Sequence, residues 1–224
     1  ISRVQQERFA LESHHKAAHA WDNGWFDEEV TSVDIENAHG EPVTFSRDEC
    51  FRGDTTLEQM AKLKPAQEGG SVTAAMASGV TDGAGALVLT SRDKAAAAGL
   101  SPMASIVAYA QIGLDPADML EGPALAVPMV LKKAGLALDD MDLIEVNEAF
   151  ASQILANEIA LGWDRAKLNV HGGAIALGHP TGFTGVRLMV SLSHALRTHG
   201  GTYGLMAICG GGGLGVAMVI RNES

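Results

Sequence analysis

The residues best suited to chemistry lie in a glycine-rich stretch at 169–180, with the sequence Asn-Val-His-Gly-Gly-Ala-Ile-Ala-Leu-Gly-His-Pro. His179 stands between Gly178 and Pro180, ahead of a helical pattern. Proline disfavours a helical residue before it, so His179 is predicted to lie in a loop. The positive end of the following helix would favour a neutral imidazole, which suits a general base. Taken alone, however, this pattern is more typical of a buried turn with a capping histidine than of a catalytic base.

Two further stretches reverse that balance, because each places a polar side chain at the end of an apolar run. Asn147 lies where a predicted strand, 142–146, passes into a predicted helix, 148–161. Cys209 ends another apolar run and precedes four glycines. A thiol, an imidazole and an amide can together transfer protons and bind an oxyanion. Each also has a structural interpretation, Asn147 as a helix cap and Cys209 as a small buried side chain.

Taken together, these stretches resemble the C-terminal signature blocks of the thiolase family of acetyl-CoA acyltransferases. The blocks are Asn-Glu-Ala-Phe at 147–150, Gly-Gly-Ala-Ile-Ala-Leu-Gly-His-Pro at 172–180 and Cys-x-Gly-Gly-Gly at 209–213, present in that order. Weaker similarity extends over nearly the whole chain. The resemblance covers only the later part of a thiolase. The chain is therefore expected to be a truncated, cleaved or separately encoded C-terminal portion.

The order of elements predicts an α/β fold. Apolar runs alternate with helical patterns, which indicates a mixed five-stranded sheet covered by helices, its last two strands antiparallel. The five predicted strands are 104–112, 142–146, 168–171, 203–209 and 214–220. An earlier apolar run, 84–90, also has the pattern of a buried strand. The residues Ser2 and Gln5 predict a capping box at the start of a first helix, Gly135 is predicted to close a helix that starts at 122–123, and a further strand is predicted at 29–35. The resemblance divides the chain into part of a loop domain (1–71), the last strand and helix of an N-terminal half (72–103) and a C-terminal half (104–224).

The resemblance implies a two-step acyl exchange through an acylated cysteine. His179 matches the base that activates that cysteine, and Cys209 matches the group that moves the α-proton of the thioester. Asn147 and His179 match one oxyanion hole, and the N–H of Gly211 matches part of a second, where glycine is expected to leave the N–H bare. The acylated cysteine itself lies upstream of anything in this chain. Cys50 cannot replace it, because its neighbours fit the loop domain, so the active site is expected to be incomplete.

Ser78 and Phe150 are the positions that the resemblance places against coenzyme A. Ser78 matches the serine of a Thr-Ala-Gly-Asn-Ala-Ser-Gly pattern, although a plain turn serine is the alternative. Ala75 and Met76 replace the usual Gly-Asn, and Gln67 stands where the family often has phenylalanine. CoA placement is therefore expected to be similar in outline and altered in detail. CoA enters as a substrate, and no cofactor and no metal are expected.

Composition narrows the class of protein and its partners. The chain has 224 residues, 46% of them hydrophobic and 26 of them glycine, which favours close packing of helices on a sheet. A formal net charge of −11 argues against nonspecific nucleic-acid binding. Two free cysteines suggest a reducing compartment, and no signal peptide is visible, so a cytoplasmic location is expected. The uncharged run 204–220 is a poor membrane helix because glycines interrupt it. The expected partners are acyl-CoA, CoA, the N-terminal thiolase half and further copies in a dimer or tetramer.

Two other functions compete with this interpretation. The first is a non-catalytic acyl-CoA-binding or assembly subunit, which would have no use for Asn147, His179 and Cys209 together. The second is a nucleotide-binding α/β domain. The sequence has no Gly-x-Gly-x-x-Gly followed by a ribose-binding acid and no Gly-Lys-Ser/Thr, which counts against it.

Overall fold

The computed structural model describes all residues, 1–224, and contains seven helices and six strands. In chain order the elements are α1 (Arg3–Asp22), β1 (Val33–Glu36), β2 (Pro42–Phe45), α2 (Leu57–Ala61), α3 (Arg92–Ala97), β3 (Ala104–Gly113), α4 (Gly122–Ala134), β4 (Leu143–Val146), α5 (Ala151–Leu161), α6 (Ala174–Leu177), α7 (Thr184–His199), β5 (Tyr203–Gly210) and β6 (Leu214–Asn222). No helix combines the length and the apolar character that crossing a membrane would need.

One mixed sheet of four strands, in the order β3-β6-β5-β4, organises the molecule. β4 and β5 are parallel, with Val146 opposite Ala207, while β5–β6 and β6–β3 are antiparallel. The predicted antiparallel hairpin at the end of the chain is therefore confirmed. Its turn uses Gly212 and Gly213 in the left-handed region, at φ 84° and 85°, a conformation that glycine adopts without steric cost.

The predicted strand at 168–171 does not form, which leaves four strands instead of five. Only Leu168 makes a bridge to the sheet, to Ile144 of β4. The next residue, Asn169, has a left-handed φ of 42°, which ends the extended run. Its side-chain amide then takes the place of a strand backbone: Oδ1 accepts from the N–H of Val146 at 2.8 Å, and Nδ2 donates to the carbonyl of Val146 at 2.9 Å.

The prediction of a buried strand at 84–90 is also wrong for this chain. These residues have no strand assignment, and Val88 and Leu89 are 91% and 71% exposed. A strand forms only where a neighbour accepts and donates its backbone hydrogen bonds. No strand in this structure lies beside residues 84–90. The apolar pattern was therefore right about hydrophobicity and wrong about the local structure.

Helices cover both faces of the four-stranded sheet. Leu205 and Ala207 of β5 belong to the larger core, which also contains apolar residues of α4 and α5. Met206, between them, faces a smaller core built mainly from α7. This alternation is the two-residue period of a strand that is covered on both sides.

The helix boundaries follow local capping chemistry. Ser2 and Gln5 form the predicted capping box of α1, and α4 ends as predicted at Gly135 in the left-handed conformation. The helix predicted from 148 begins only at Ala151. The short helix α6 (Ala174–Leu177) was not predicted. The strand predicted at 29–35 is shorter and later, as β1 of the exposed hairpin β1–β2.

Candidate active site

Asn147 is placed by the end of β4. Its backbone N–H donates to the carbonyl of Ala207 on β5 at 3.0 Å, which extends the parallel pairing by one residue. Its fully buried side chain points to His179, with Nδ2 3.4 Å from the ring Nε2. Its Oδ1 has no partner within the protein. Because α5 starts at Ala151, with Phe150 at the cap position, the alternative role of Asn147 as the cap of that helix is wrong.

His179 is held from both its backbone and its ring. Its N–H donates to the carbonyl of Gly79 at 2.9 Å, and its Nδ1 lies 2.6 Å from the hydroxyl oxygen of Thr184. The preceding Gly178 has a left-handed φ of 92°, and a Cβ there would lie 2.5 Å from the Thr81 hydroxyl. No residue other than glycine fits both conditions. His179 is therefore delivered by a turn that packs directly against residues 79–81.

The pKa of His179 lies below its ordinary value, first because of burial and second because of the charge on Arg187. Both effects favour the neutral ring, since both disfavour a second positive charge in a partly desolvated place. The direction agrees with the neutral base expected from the sequence, but the leading cause is burial and not the start of α7. A neutral imidazole is the form that can accept a proton.

Cys209 lies near the carboxyl end of β5, paired with Gly215 of β6. It is buried, and this burial raises the pKa of its thiol. Val146, the last residue of β4, pairs with Ala207, so Cys209 lies two residues past the position on β5 that faces the end of β4. Asn147 and His179 are in direct contact. Cys209 lies at the same edge of the sheet, on the neighbouring strand. At neutral pH the raised pKa keeps this thiol protonated.

Gly211 lies in the open turn between β5 and β6. A Cβ at this position would meet no other atom within 4 Å, and its φ is outside the left-handed region. Contacts within this chain therefore give no steric reason for glycine at 211. Backbone geometry instead requires glycine at the next two positions, Gly212 and Gly213.

Ser78 and Phe150 are neighbours, although they lie far apart in sequence. Ala77 forms a bridge with Phe150, and Ser78 donates both its N–H and its hydroxyl to the carbonyl of Ala149, at 3.1 and 3.3 Å. Both side chains are half-buried. Since Gly79 accepts the N–H of His179, residues 77–79 connect the Asn147 block with the His179 turn.

The departures from the family pattern near Ser78 have different environments. Met76 is fully buried in the larger core, while Ala75 is half-buried against that core. Gln67 is exposed to solvent. Met76 therefore replaces a family residue by packing into the interior of this chain.

Glu148 is a neighbour of the candidate site for which no role is predicted from the sequence. Its buried carboxylate accepts from the Ser13 hydroxyl at 2.7 Å, the Asn169 side chain at 2.8 Å and the N–H of Ile175 at 3.1 Å. A Cβ at Gly173 would collide with this carboxylate, which explains glycine there. Glu148 thereby joins α1 to the turn that leads to His179. The signal in the sequence was an acidic residue beside Asn147 in an otherwise apolar block.

The remaining candidates lie apart from this edge. Burial first, and then Asp48 and Glu49, raise the pKa of the half-buried Cys50, so nothing activates this thiol. His171 packs on Trp25 with 4.8 Å between ring centroids, and its Nε2 lies 3.0 Å from that of His199. These contacts give His171 a structural role. No group of three or more metal-ligating side chains is present.

Two models of known protein families match this chain. The model described as the thiolase C-terminal domain matches residues 100–222, and the model described as the thiolase N-terminal domain matches residues 1–93. The fold is α/β, with a mixed sheet covered by helices. The chain belongs to the thiolase family.

Individual relatives are similar over the whole of this chain. The acetyl-CoA acetyltransferase of Pseudomonas aeruginosa is 47% identical over 224 residues, which are 100% of this chain and 57% of the relative. The mitochondrial 3-ketoacyl-CoA thiolase of Homo sapiens is 47% identical over 225 residues, 100% of this chain and 56% of the relative. The chain thus spans a little over half the length of the curated relatives it matches.

Solved structures give the same result for the fold. The Bacillus anthracis acetyl-CoA acetyltransferase superposes with a TM-score of 0.96 at 47% identity, covering 99% of this chain and 56% of that one. The human mitochondrial 3-ketoacyl-CoA thiolase in complex with CoA superposes with a TM-score of 0.95 at 46% identity, covering 100% and 56%.

Proposed function

We propose that this chain is the part of a thiolase that carries the acid/base groups of acyl transfer to coenzyme A. The reaction is the CoA-dependent cleavage of a 3-ketoacyl-CoA, or the reverse condensation of an acyl-CoA with acetyl-CoA. Its acyl-cysteine intermediate forms on a nucleophile outside this chain. Membership of the thiolase family, the names of the relatives and the CoA in one similar structure support the proposal.

The observation that carries the proposal is the contact between Asn147 and His179, 3.4 Å apart at the edge of the sheet where Cys209 lies near the end of β5. The three side chains come from three separate segments of the sequence. A purely structural cap or core residue would not require an amide and a neutral imidazole to meet. Such a group is instead suited to general acid–base catalysis.

In the first step, the neutral His179 would accept the proton of the nucleophilic thiol. The resulting thiolate attacks the ketone carbonyl of the 3-ketoacyl-CoA, and the bond between the α- and β-carbons breaks. The leaving enolate of acetyl-CoA must take up a proton at carbon. Cys209, protonated at rest because burial raises its pKa, is the group we assign to give that proton.

In the second step, the thiolate left on Cys209 would take the proton of the incoming CoA thiol, and the CoA sulfur attacks the acyl-cysteine. This returns Cys209 to its thiol form and releases the shortened acyl-CoA. The nucleophilic cysteine leaves as a thiolate and takes back the proton that His179 accepted in the first step. Asn147 and His179 together stabilise one oxyanion, and the N–H of Gly211 contributes to the other. Removing one such donor typically lowers kcat by about 10²–10³.

We further propose that the pantetheine arm of CoA lies against Ser78 and Phe150, which are adjacent and half-buried beside the His179 turn. The nucleophile would come from an N-terminal thiolase half, in the same precursor or on a separate chain. The complete enzyme would then assemble as a dimer or tetramer.

The test uses this chain co-expressed with the part of the Pseudomonas aeruginosa relative that it does not cover, here called the reconstituted protein. Two variants, His179→Ala and Cys209→Ser, are incubated with a 3-ketoacyl-CoA or an acyl-CoA, and the acylated protein is measured by intact mass spectrometry. With acyl-CoA, His179→Ala should lose acylation by about 10²–10⁴ in rate. Cys209→Ser should keep acylation from acyl-CoA while losing cleavage and condensation.

Matched controls are His39→Ala, an exposed histidine, and Cys50→Ser, the other cysteine. Both should behave like the parent protein. Equal acylation in His179→Ala and Cys209→Ser would show that the two roles are misassigned. A reconstituted protein that binds CoA but is never acylated would favour the non-catalytic acyl-CoA-binding subunit.

A further inference from the structure

We propose that Thr184 is a positioning residue that holds the imidazole of His179 in the form with its proton on Nδ1 and its lone pair on Nε2. The proposal concerns the proton on one ring atom, and its importance for catalysis rests on the proposed function. Thr184 is the first residue of α7 and is fully buried.

The geometry is a chain of three polar contacts. Nδ2 of Asn147 lies 3.4 Å from Nε2 of His179, and Nδ1 of His179 lies 2.6 Å from Oγ1 of Thr184. Oγ1 of Thr184 lies 3.0 Å from the carbonyl oxygen of Pro180. That carbonyl also accepts the N–H groups of Phe183 and Thr184, at 2.8 and 2.9 Å, so the turn before α7 fixes its position.

Only one arrangement of protons satisfies these contacts in the placement observed. A carbonyl oxygen can only accept, so the single hydroxyl proton of Thr184 points to Pro180. The hydroxyl oxygen must then accept, and Nδ1 of His179 must carry the proton. At the other end, an amide nitrogen has only protons to give, so Nε2 must be the acceptor. Asn147 therefore donates to Nε2, and Nδ1 donates to Thr184, so Nε2 carries no proton.

This tautomer is the one that the proposed chemistry needs. A lone pair on Nε2, the ring atom that faces Asn147, can take a proton from a thiol. The opposite tautomer would present an N–H on that side and could not act as a base there. A partner that fixes the other ring nitrogen commonly decides which tautomer a histidine adopts. Thr184 acts on the reaction only through His179, since no contact with the reacting atoms is assigned to it.

The variant that removes the contact with least change in shape is Thr184→Val, which keeps a β-branched side chain and has no hydroxyl. The control is Thr184→Ser, which retains the hydroxyl. The full chain, residues 1–224, is labelled with 15N-histidine, alone and in the reconstituted protein. Nitrogen NMR distinguishes the protonated from the unprotonated ring nitrogen, and the variant His179→Asn identifies the His179 signals by their loss.

We expect the parent and Thr184→Ser to show His179 with the proton on Nδ1 alone. Thr184→Val should show a mixture of both tautomers, together with about a tenfold slower acylation of the reconstituted protein, the effect of losing one neutral hydrogen bond. Thr184→Ser should restore most of that rate. A loss of packing alone would change the rate without changing the tautomer.

The proposal is overturned if the parent carries the proton on Nε2, or if Thr184→Val keeps the parent's tautomer. The measurement on the parent decides the question even if Thr184→Val does not fold. The tautomer is observed without turnover, so the result is independent of the acylation test. A protein with the expected tautomer and no acyl transfer would contradict the proposed function and leave the assignment of Thr184 intact.

Discussion

Residues 84–90 and the strand β5 have nearly the same chemistry and opposite environments. Both are uninterrupted by charge, and both combine glycine, alanine and large aliphatic side chains. β5 lies inside the sheet between β4 and β6, and its Leu205 is fully buried. Residues 84–90 have no strand assignment, and Val88 is 91% exposed.

The difference lies in the neighbours and not in the runs themselves. β5 exchanges backbone hydrogen bonds with a strand on each side, and helices cover both of its faces. Residues 84–90 have neither neighbour within the chain. The chain spans 56–57% of the length of its relatives. We therefore expect residues 84–90 to find their strand partners in the portion that those relatives have in addition.

The largest effect should come from supplying that portion. The chain of residues 1–224 alone should show no thiolase turnover and should associate through its uncovered apolar run. The reconstituted protein should turn over and should protect the amides of residues 86–90 from hydrogen exchange. Turnover is measured by thioester absorbance and protection by mass spectrometry. A soluble, monomeric and active chain alone would contradict both the strand argument and the external nucleophile.

A smaller effect is expected on stability. The same substitution, leucine to alanine, is made in β5 and in residues 84–90. Leu205→Ala, in β5, should lower the free energy of unfolding by about 2–5 kcal/mol, because it leaves a cavity in the larger core. Leu89→Ala, in the exposed run, should change it by less than about 0.5 kcal/mol in the chain alone. Urea unfolding followed by circular dichroism measures both. A cost for Leu89→Ala that approaches that of Leu205→Ala would mean that the run is already packed.

An effect on stability that appears only as the pH rises concerns a charge that the sheet buries. Burial raises the pKa of Glu145 on β4 from 4.5 to about 8, against the opposing charge of Arg187, whose guanidinium lies 3.3 Å away. Between pH 4.5 and about 8, Glu145 therefore keeps its proton in the folded chain and has released it in the unfolded chain. The free energy of unfolding should therefore fall as the pH rises across this range.

The variant Glu145→Gln removes that titration. Relative to the parent, it should be more stable at pH ~8 than at pH ~5 by roughly 3 kcal/mol. The control Glu36→Gln changes an exposed carboxylate of the hairpin and should keep the parent's pH dependence. Thermal unfolding at several pH values measures the three proteins. A parent whose stability rises from pH ~5 to pH ~8 relative to Glu145→Gln would show that the ion pair with Arg187 outweighs burial.

The elements that the sequence predicted well are those decided by local chemistry. The capping box at Ser2, the end of α4 at Gly135 and the antiparallel pair β5–β6 follow from residues within a few positions of each other. The run 84–90 could not be predicted in this way, because a strand depends on a distant partner. The loss of the strand at 168–171 depends on Asn169, whose side chain replaces backbone hydrogen bonds across 23 residues of sequence.

Only part of the candidate site could be predicted, because some of its contacts arise only in the folded chain. Three sequence blocks and the family resemblance identified Asn147, His179 and Cys209, and the structure brings the first two into contact. Thr184 and Glu148 were not given roles, because their importance arises from partners in space. Thr184 reaches His179 across one turn, while Glu148 receives its hydrogen bonds from α1 and from the segment before His179.

The most direct measurement of the central claim, that Asn147, His179 and Cys209 form the acid–base edge of a thiolase, is exchange of the α-protons of acetyl-CoA with deuterium. The reconstituted protein is incubated with acetyl-CoA in D₂O, and loss of the methyl proton signal is followed by NMR. We predict steady exchange in the parent, at least about a hundredfold loss in Cys209→Ser, and no change in Cys50→Ser. Exchange at the parent's rate in Cys209→Ser, or no exchange by a parent protein that binds CoA, would contradict the claim.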